Sequence, residues 1–340
     1  MPTFAVLGAG GWGTAMAVVL AQKPDNRVRL WAAREATGRE LIARRENARQ
    51  LAGVPIPEAV TITTDPAAAV DAADCWVVAV PTAYLRPTAE RFRALADPSV
   101  PVVSLTKGIE QDSFRRPSQI LADVLGTDRL AALSGPSHAE EVARGMPTSV
   151  VMASPDAALA GWVQQHVGGD RLRVYTNTDL VGVELAGALK NVIGIAAGIG
   201  DGLRCGDNAK AALLTRGLVE MTRFGVAHGA DPATFGGLAG IGDLITTCFS
   251  PHGRNRRAGE RLAGGATVAD VTAGPQVAEG VYTARSVFDR TQRMGLDVPI
   301  MEGVYRVLYE GRSPAVAMQD LLSRRQRGEE LVPGVSVSGR

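Results

Sequence analysis

Lys190 stands in ELAGALKNVIGIAAGIG, residues 184 to 200, among small and apolar residues and with no acid three or four positions away. On a helix it shares a face with Val183, Ala186, Gly187, Gly194 and Ala197. An ammonium buried there without a partner has its pKa lowered toward the working range of a general acid or base. The alternative is a lysine that reaches water along its apolar stem. Gly187, Gly194 and Gly198 favour the first reading, because glycines admit a second backbone or a ligand at a cost in helix stability.

Other segments carry groups that could work beside such an amine. SLTKGIE puts Lys107 at the C-terminal end of an expected strand, the edge that faces the ligand crevice in open parallel sheets. SGPSHAEE does the same with Ser134, Gly135 and Ser137, whose backbone N–H groups could hold an oxygen. Ser137 also reads as a helix N-cap, with Glu140 completing a capping box. GLAGIGDLITTC surrounds Asp243 with Gly236, Gly237, Gly240 and Gly242. That reads either as a flexible loop whose acid orients a lysine or as a surface loop with a capping aspartate. HGRNRRAGERL opens an expected helix with Arg254 and Asn255, and a guanidinium beside helix-start N–H groups suits a phosphate. Arg256, Arg257 and Arg261 read as a solvated basic face.

GAGGWGTA holds Gly8, Gly10 and Gly13 in G-x-G-x-x-G spacing, after an expected strand and before an expected helix. Gly8 permits the tight turn, Gly10 the approach of a pyrophosphate, and Gly13 close packing of helix on strand. At the end of the second strand, RLWAAREATG has no acid at Ala32 or Ala33 for a ribose 2′-hydroxyl, and Arg34 follows. An arginine accepts a 2′-phosphate, so NADP is permitted beside NAD. Glu35 and a plain solvated role for Arg34 keep both cofactors open.

These positions need elements to hold them. FAVLGAG, RVRLWAA, WVVAVP, VPVVSLT, LAALSG and TSVVMAS read as strands alternating with helical stretches, which predicts a mostly parallel, doubly wound Rossmann-type sheet. From about Thr178 strand-like runs cease and long amphipathic segments follow. The expected organisation is therefore a dinucleotide-binding domain over 1–178, an all-helical substrate and catalytic domain over 179–326, and a flexible tail over 327–340.

Composition narrows the partners. The 36 basic and 35 acidic residues balance, giving no global pull toward nucleic acid or an anionic membrane. Cys75, Cys205 and Cys248 read as reduced, mostly buried thiols, and neither they nor His138, His166, His228 and His252 show metal spacing. His166 and His228 read as surface residues. Apolar runs are broken by Gly, Asp or Lys short of a membrane span, and the N-terminus lacks a secretory pattern. A soluble cytoplasmic protein is expected.

As an ordered set, GAGGWGTA, SLTKGIE, SGPSHAEEVARGMPT, VGVELAGALKNVIGIAAGIGDG, GDNAKAALLTRGLVEM, GLAGIGDL, GRNRRAGE and VAEGVYTA resemble the bacterial NAD(P)-dependent glycerol-3-phosphate dehydrogenases, from residue 3 to about 325. The resemblance implies Lys190 as the acid/base, aided by Lys107 and Asp243. It implies substrate contacts from Lys107, Gly135, Ser137, Lys190, Asp243, Arg254 and Asn255, the last two on the phosphate. Cofactor contacts implied are Gly8, Gly10, Gly11, Trp12, Gly13, Arg34, Lys107, Ala139, Arg254, Val277 and Glu279. The implied reaction is reversible reduction of dihydroxyacetone phosphate to sn-glycerol 3-phosphate, supplying phospholipid synthesis, in a protein that is typically a homodimer.

Two positions depart from the family pattern: Gly253 stands where serine is usual, and His138 where an aromatic such as phenylalanine is usual. The competing readings are another Rossmann-plus-helical reductase, of the β-hydroxyacid dehydrogenase or ketopantoate reductase type, and a non-catalytic dinucleotide sensor. The first needs no Arg254–Asn255 phosphate grip; the second needs neither lysine nor Asp243.

Overall fold

The computed structural model describes residues 1–273, 278–325 and 328–329. Val277, and residues 327 and 330–340 of the expected tail, lie outside the described residues. The chain divides into two compact units, Met1–Thr106 with Pro117–Leu180, and Lys107–Arg116 with Val181–Arg340.

The first unit carries one eight-stranded sheet: β1 (Thr3–Leu7), β2 (Arg27–Trp31), β3 (Val60–Thr63), β4 (Cys75–Val78), β5 (Val102–Ser104), β6 (Leu130–Ser134), β7 (Thr148–Ala153) and β8 (Leu172–Asn177). Their order is β3-β2-β1-β4-β5-β6-β7-β8, and every pairing is parallel except β6 with β7. The expected doubly wound, mostly parallel sheet is present. Continuous apolar runs made β1 and β4 legible because both are buried along their whole length. Phe4, Val6, Leu30, Val77, Val103 and Met152 join Met16, Leu20 and Val163 from covering helices in one core cluster. The strand order reverses between β1 and β4, and that switch point is where open sheets of this kind receive ligands.

The described residues of the second unit carry helices and no strand, among them Leu180–Gly202, Gly206–Ala227, Asp243–Phe249, Arg254–Ala263, Glu279–Met294 and Pro299–Tyr309. Contrary to the expectation from its interruptions, the Leu180–Gly202 helix is long and apolar enough to cross a membrane. Burial of 94% of its most apolar window gives it the position of a core helix. Gly198 serves packing: a Cβ there would lie 1.8 Å from the Arg256 carbonyl oxygen, and one on Gly259 of the Arg254–Ala263 helix would lie 2.1 Å from the Ile195 carbonyl oxygen. The two helices meet backbone to backbone, which only glycine permits.

Candidate active site

The glycine turn lies at the switch point. Gly8 follows β1 with φ +115°, and a Cβ there would sit 2.6 Å from the Ala79 carbonyl oxygen just beyond β4. A Cβ on Gly13 would fall 1.8 Å from the Gly8 carbonyl oxygen, so the Gly11–Ala21 helix can rest on its strand only without one. Gly10 is the N-cap, without a side-chain cap. The backbone N–H groups of Trp12 and Gly13 have no acceptor among the described residues, whereas Gly11 N–H donates to Gln50 Oε1 at 3.0 Å. Buried Trp12 Nε1 also lacks a partner among the described residues. Unfilled first-turn donors and a side-chain-free cradle fit a dinucleotide pyrophosphate.

Arg34 is exposed at the N-cap of the Glu35–Arg44 helix and has no side-chain partner among the described residues. Gly135 follows β6 with φ +118°, where a Cβ would come within 3.1 Å of Val150 Cα. Ser137 is not the N-cap expected of it. The Ala139–Ala143 helix takes His138 at that position, and Ser137 Oγ donates instead to the Gly135 carbonyl at 2.8 Å. The expected capping box with Glu140 is thus replaced by a tight local turn, and Ala139 opens the helix.

In the second unit the expected acid–base residues converge. Lys190 Nζ donates to Asp243 Oδ1 at 2.6 Å and to Thr247 Oγ1 at 2.7 Å, and Lys107 Nζ donates to Asp243 Oδ2 at 2.8 Å. Lys190 is only 7% exposed and Asp243 only 2%. So the buried ammonium does have a partner, supplied by another helix. Asp243 is also not in a flexible loop. The glycine stretch winds as a π-type turn over Leu238–Gly242 into the Asp243–Phe249 helix, and a Cβ on Gly240 would meet the Phe235 carbonyl oxygen at 2.0 Å. Gly240 serves close approach rather than mobility.

Burial pulls the Lys190 pKa down to about 8, partly opposed by the Asp243 carboxylate and reinforced by the Lys107 charge. Burial alone would raise Asp243, but the two ammonium groups hold it below the ordinary carboxylate range. The result is a carboxylate kept ionised between two cations, one of which can release its proton near neutral pH.

A chain of amides backs this centre. Gly280 N–H donates to Asn255 Oδ1 at 2.9 Å, and Asn255 Nδ2 donates to Asn191 Oδ1 at 2.8 Å. Asn191 Nδ2 donates in turn to the carbonyls of Lys107, at 2.9 Å, and Gly187, at 3.2 Å. A backbone donor at one end and carbonyl acceptors at the other fix both amide orientations. Asn255 is buried and its carbonyl is used internally, whereas Arg254, first in its helix, is exposed with no side-chain partner among the described residues. Glu279 opens the Glu279–Met294 helix and is half-buried.

Arg256 is no solvated arginine, since it pairs with Asp201 at 2.6 Å and Glu260 at 2.7 Å. His166 and His228 are half-buried rather than superficial, each resting on an aromatic ring one helical turn before it. A Cβ on Gly253 would approach the Thr247 carbonyl oxygen to 2.7 Å, so a side chain there would have to shift this backbone. Cys75 and Cys248 are buried, Cys205 is exposed, and all three are free. Thr247 and Gln50 escaped the sequence reading, because neither residue type nor spacing marks them.

A Rossmann-type unit joined to a helical unit that buries a lysine against an aspartate is the build of the two-domain nicotinamide-dependent dehydrogenases. Within that class the chain belongs to the NAD-dependent glycerol-3-phosphate dehydrogenase family, whose N-terminal pattern matches residues 3–160 and whose C-terminal pattern matches 179–319. It is 48% identical over 332 residues to glycerol-3-phosphate dehydrogenase (NAD(P)+) 2 of Salinibacter ruber, covering 96% of each chain. It is likewise 48% identical over 329 residues to the glycerol-3-phosphate dehydrogenase (NAD(P)+) of Chlorobium limicola, covering 96% of this chain and 98% of the relative. A crystal structure of glycerol-3-phosphate dehydrogenase from Coxiella burnetii is similar with a TM-score of 0.90 at 38% identity, over 95% of this chain and 99% of that one.

Proposed function

We infer that this chain catalyses the reversible NAD(P)H-dependent reduction of dihydroxyacetone phosphate to sn-glycerol 3-phosphate. Family membership supplies the reaction class, and the Lys190–Asp243–Lys107 arrangement is the observation that carries the chemistry. When bound, the reduced nicotinamide supplies the hydride that a ketone carbon takes up. The chain supplies the proton: Lys190, held protonated near neutral pH by Asp243, gives it from Nζ to the oxygen that becomes the hydroxyl. Lys107 adds a second positive charge on the same carboxylate, which favours negative charge developing on that oxygen. Thr247 accepts one Lys190 hydrogen bond and so fixes the direction of the amine.

The substrate phosphate is assigned to Arg254 and the N–H groups of its helix start. Asn255 contributes there through its remaining amide hydrogen, its carbonyl being held by Gly280. Gly135 and Ser137 are assigned substrate contacts, and Ala139, Val277 and Glu279 cofactor contacts, on the family likeness. Arg34, exposed and unpaired among the described residues, accommodates a 2′-phosphate, so NADP and NAD are both accepted. A cytoplasmic homodimer that feeds phospholipid synthesis completes the reading.

The test follows absorbance of NADH and NADPH with dihydroxyacetone phosphate and, separately, with ketopantoate. Oxidation with the first alone is expected. Oxidation with ketopantoate alone would transfer the chain to the rival reductases, and binding without turnover would make it a sensor.

A further inference from the structure

Gln50 sits on a donor that the glycine turn would otherwise present to a phosphate. Its Oε1 accepts the N–H of Gly11, the first residue of the Gly11–Ala21 helix, at 3.0 Å. The same oxygen lies 3.3 Å from where a Gly10 Cβ would be, and the Gln50 carbonyl oxygen lies 2.8 Å from where a Gly11 Cβ would be. Glycine at position 11 is therefore needed for this residue to lie against the turn, and glycine at position 10 leaves its side-chain oxygen room.

The backbone beneath Gln50 is anchored. Asn47, 5% exposed, donates through Nδ2 to the Ala9 carbonyl at 3.1 Å and to Thr14 Oγ1 at 2.9 Å. Gln50 and Leu51 N–H groups both donate to the Asn47 carbonyl. Leu51 and Val54 pack with Ala15, Val18 and Ala143 in a small core of their own. The strap is thus fastened on both sides of Gln50, and only its side chain is available to move. The amide nitrogen of that side chain has no partner among the described residues.

We propose that Gln50 is a displaceable cap on the pyrophosphate site: its side-chain carbonyl accepts the Gly11 N–H and gives way when a phosphate oxygen takes that donor. This rests on the turn being the dinucleotide site of the proposed function. A neutral amide oxygen is a weaker acceptor than a phosphate oxygen, so the exchange favours the ligand. Breaking the existing bond nonetheless subtracts from the affinity gained. The family likeness assigns Gly11 and Trp12 to the cofactor; Gln50 acts through Gly11 as a positioning residue that sets how tightly the cofactor is held.

The experiment compares wild type with Gln50→Met, which keeps the bulk and removes the acceptor, and with Gln50→Ala. Dissociation constants for NADPH, ADP-ribose and adenosine are measured by titration. Loss of one neutral hydrogen bond to the resident side chain should tighten NADPH and ADP-ribose about 3- to 10-fold in both variants. Adenosine, which has no phosphate, should bind as before. A purely structural role would disturb all three ligands together. Unchanged or weakened NADPH and ADP-ribose binding in Gln50→Met, with wild type binding normally, overturns the cap alone. Failure of wild type to bind either phosphate-bearing ligand overturns the dinucleotide site and the cap with it. Should Gln50→Ala distort the strap, Gln50→Met still decides the matter.

Discussion

Lys190 and Asp243 meet at 2.6 Å although 53 positions separate them, each buried and each carried by a different helix. Neither is tolerable alone: an isolated buried ammonium or carboxylate gives up its charge. Together, with Lys107 on the second carboxylate oxygen, they stay charged while Lys190 remains close to releasing its proton. Replacing Lys190 by alanine removes the proposed proton donor but leaves the glycine turn intact. Turnover of dihydroxyacetone phosphate is expected to fall about 10²- to 10⁴-fold, with NADPH still binding. Turnover within a factor of a few of wild type would end the assignment.

The same geometry sets a pH dependence. With Lys190 as the proposed acid, reduction needs it protonated, so its rate should fall as pH rises through about 8; oxidation of glycerol 3-phosphate needs the free amine and should rise through the same region. The two neighbours move that limb in opposite directions. Asp243→Asn removes the charge that raises the lysine, sending the limb to lower pH. Lys107→Met removes the charge that lowers it, sending the limb higher. Rate profiles of the two variants that shift the same way, or not at all, would show that a different group titrates.

Glycine has two meanings in this chain, and stability measurements should separate them. A Cβ on Gly198 would lie 1.8 Å from the Arg256 carbonyl oxygen, whereas Gly303, inside the Pro299–Tyr309 helix, has nothing within 4 Å of the same position. Gly303→Ala should therefore stabilise by about 0.5–1 kcal/mol through helix propensity. Gly198→Ala gains the same propensity but forces two backbones apart, and strain of about 1–3 kcal/mol or more wins. Denaturant midpoints check the signs; a more stable Gly198→Ala would contradict the close packing.

The distinction also explains what the sequence conceals. Gly240 reads as part of a flexible loop because close approach leaves no trace in composition; it lies against the Phe235 carbonyl. The fully buried strands β1 and β4 were legible as apolar runs. β3 and β8, the two edges, were not, since alternate residues such as Thr61, Arg173 and Tyr175 face solvent. Helical spacing could show that Lys190 is surrounded by small residues, but its carboxylate comes from another helix. Arg256 looked solvated for the same reason, its partner Asp201 standing 55 positions earlier. Local pattern located the candidate residues; the pairing that gives them their charges is a tertiary fact.

The cofactor role proposed for Arg34, exposed at the start of its helix beside Glu35, is open to a direct test. A guanidinium there attracts the extra phosphate of NADPH and has nothing equivalent to hold on NADH. Arg34→Ala should raise the KM for NADPH about tenfold, on the order of one charge-assisted contact, and change that for NADH little. Equal effects on both cofactors would remove Arg34 from the discrimination.

Glu220 offers a test of the fold apart from catalysis. Its carboxylate, 4% exposed, accepts the N–H groups of Ile300, at 2.8 Å, and Met301, at 3.1 Å, capping the Pro299–Tyr309 helix from a neighbouring one. Burial raises its pKa from 4.5 to about 8, while the two N–H donors oppose that rise. A folded-state pKa above the unfolded value means that the unfolded chain loses this proton first as pH rises. The associated stability is complete below the ordinary carboxylate range and is lost as pH climbs through about 8. Glu220→Gln cannot titrate and keeps one acceptor for the helix start. It should be the less stable protein in acid, with the gap to wild type closing as pH rises through about 8. Thermal midpoints taken across that range decide it: a gap that stays constant would mean that Glu220 is already ionised throughout and that its N–H partners, not burial, govern its charge.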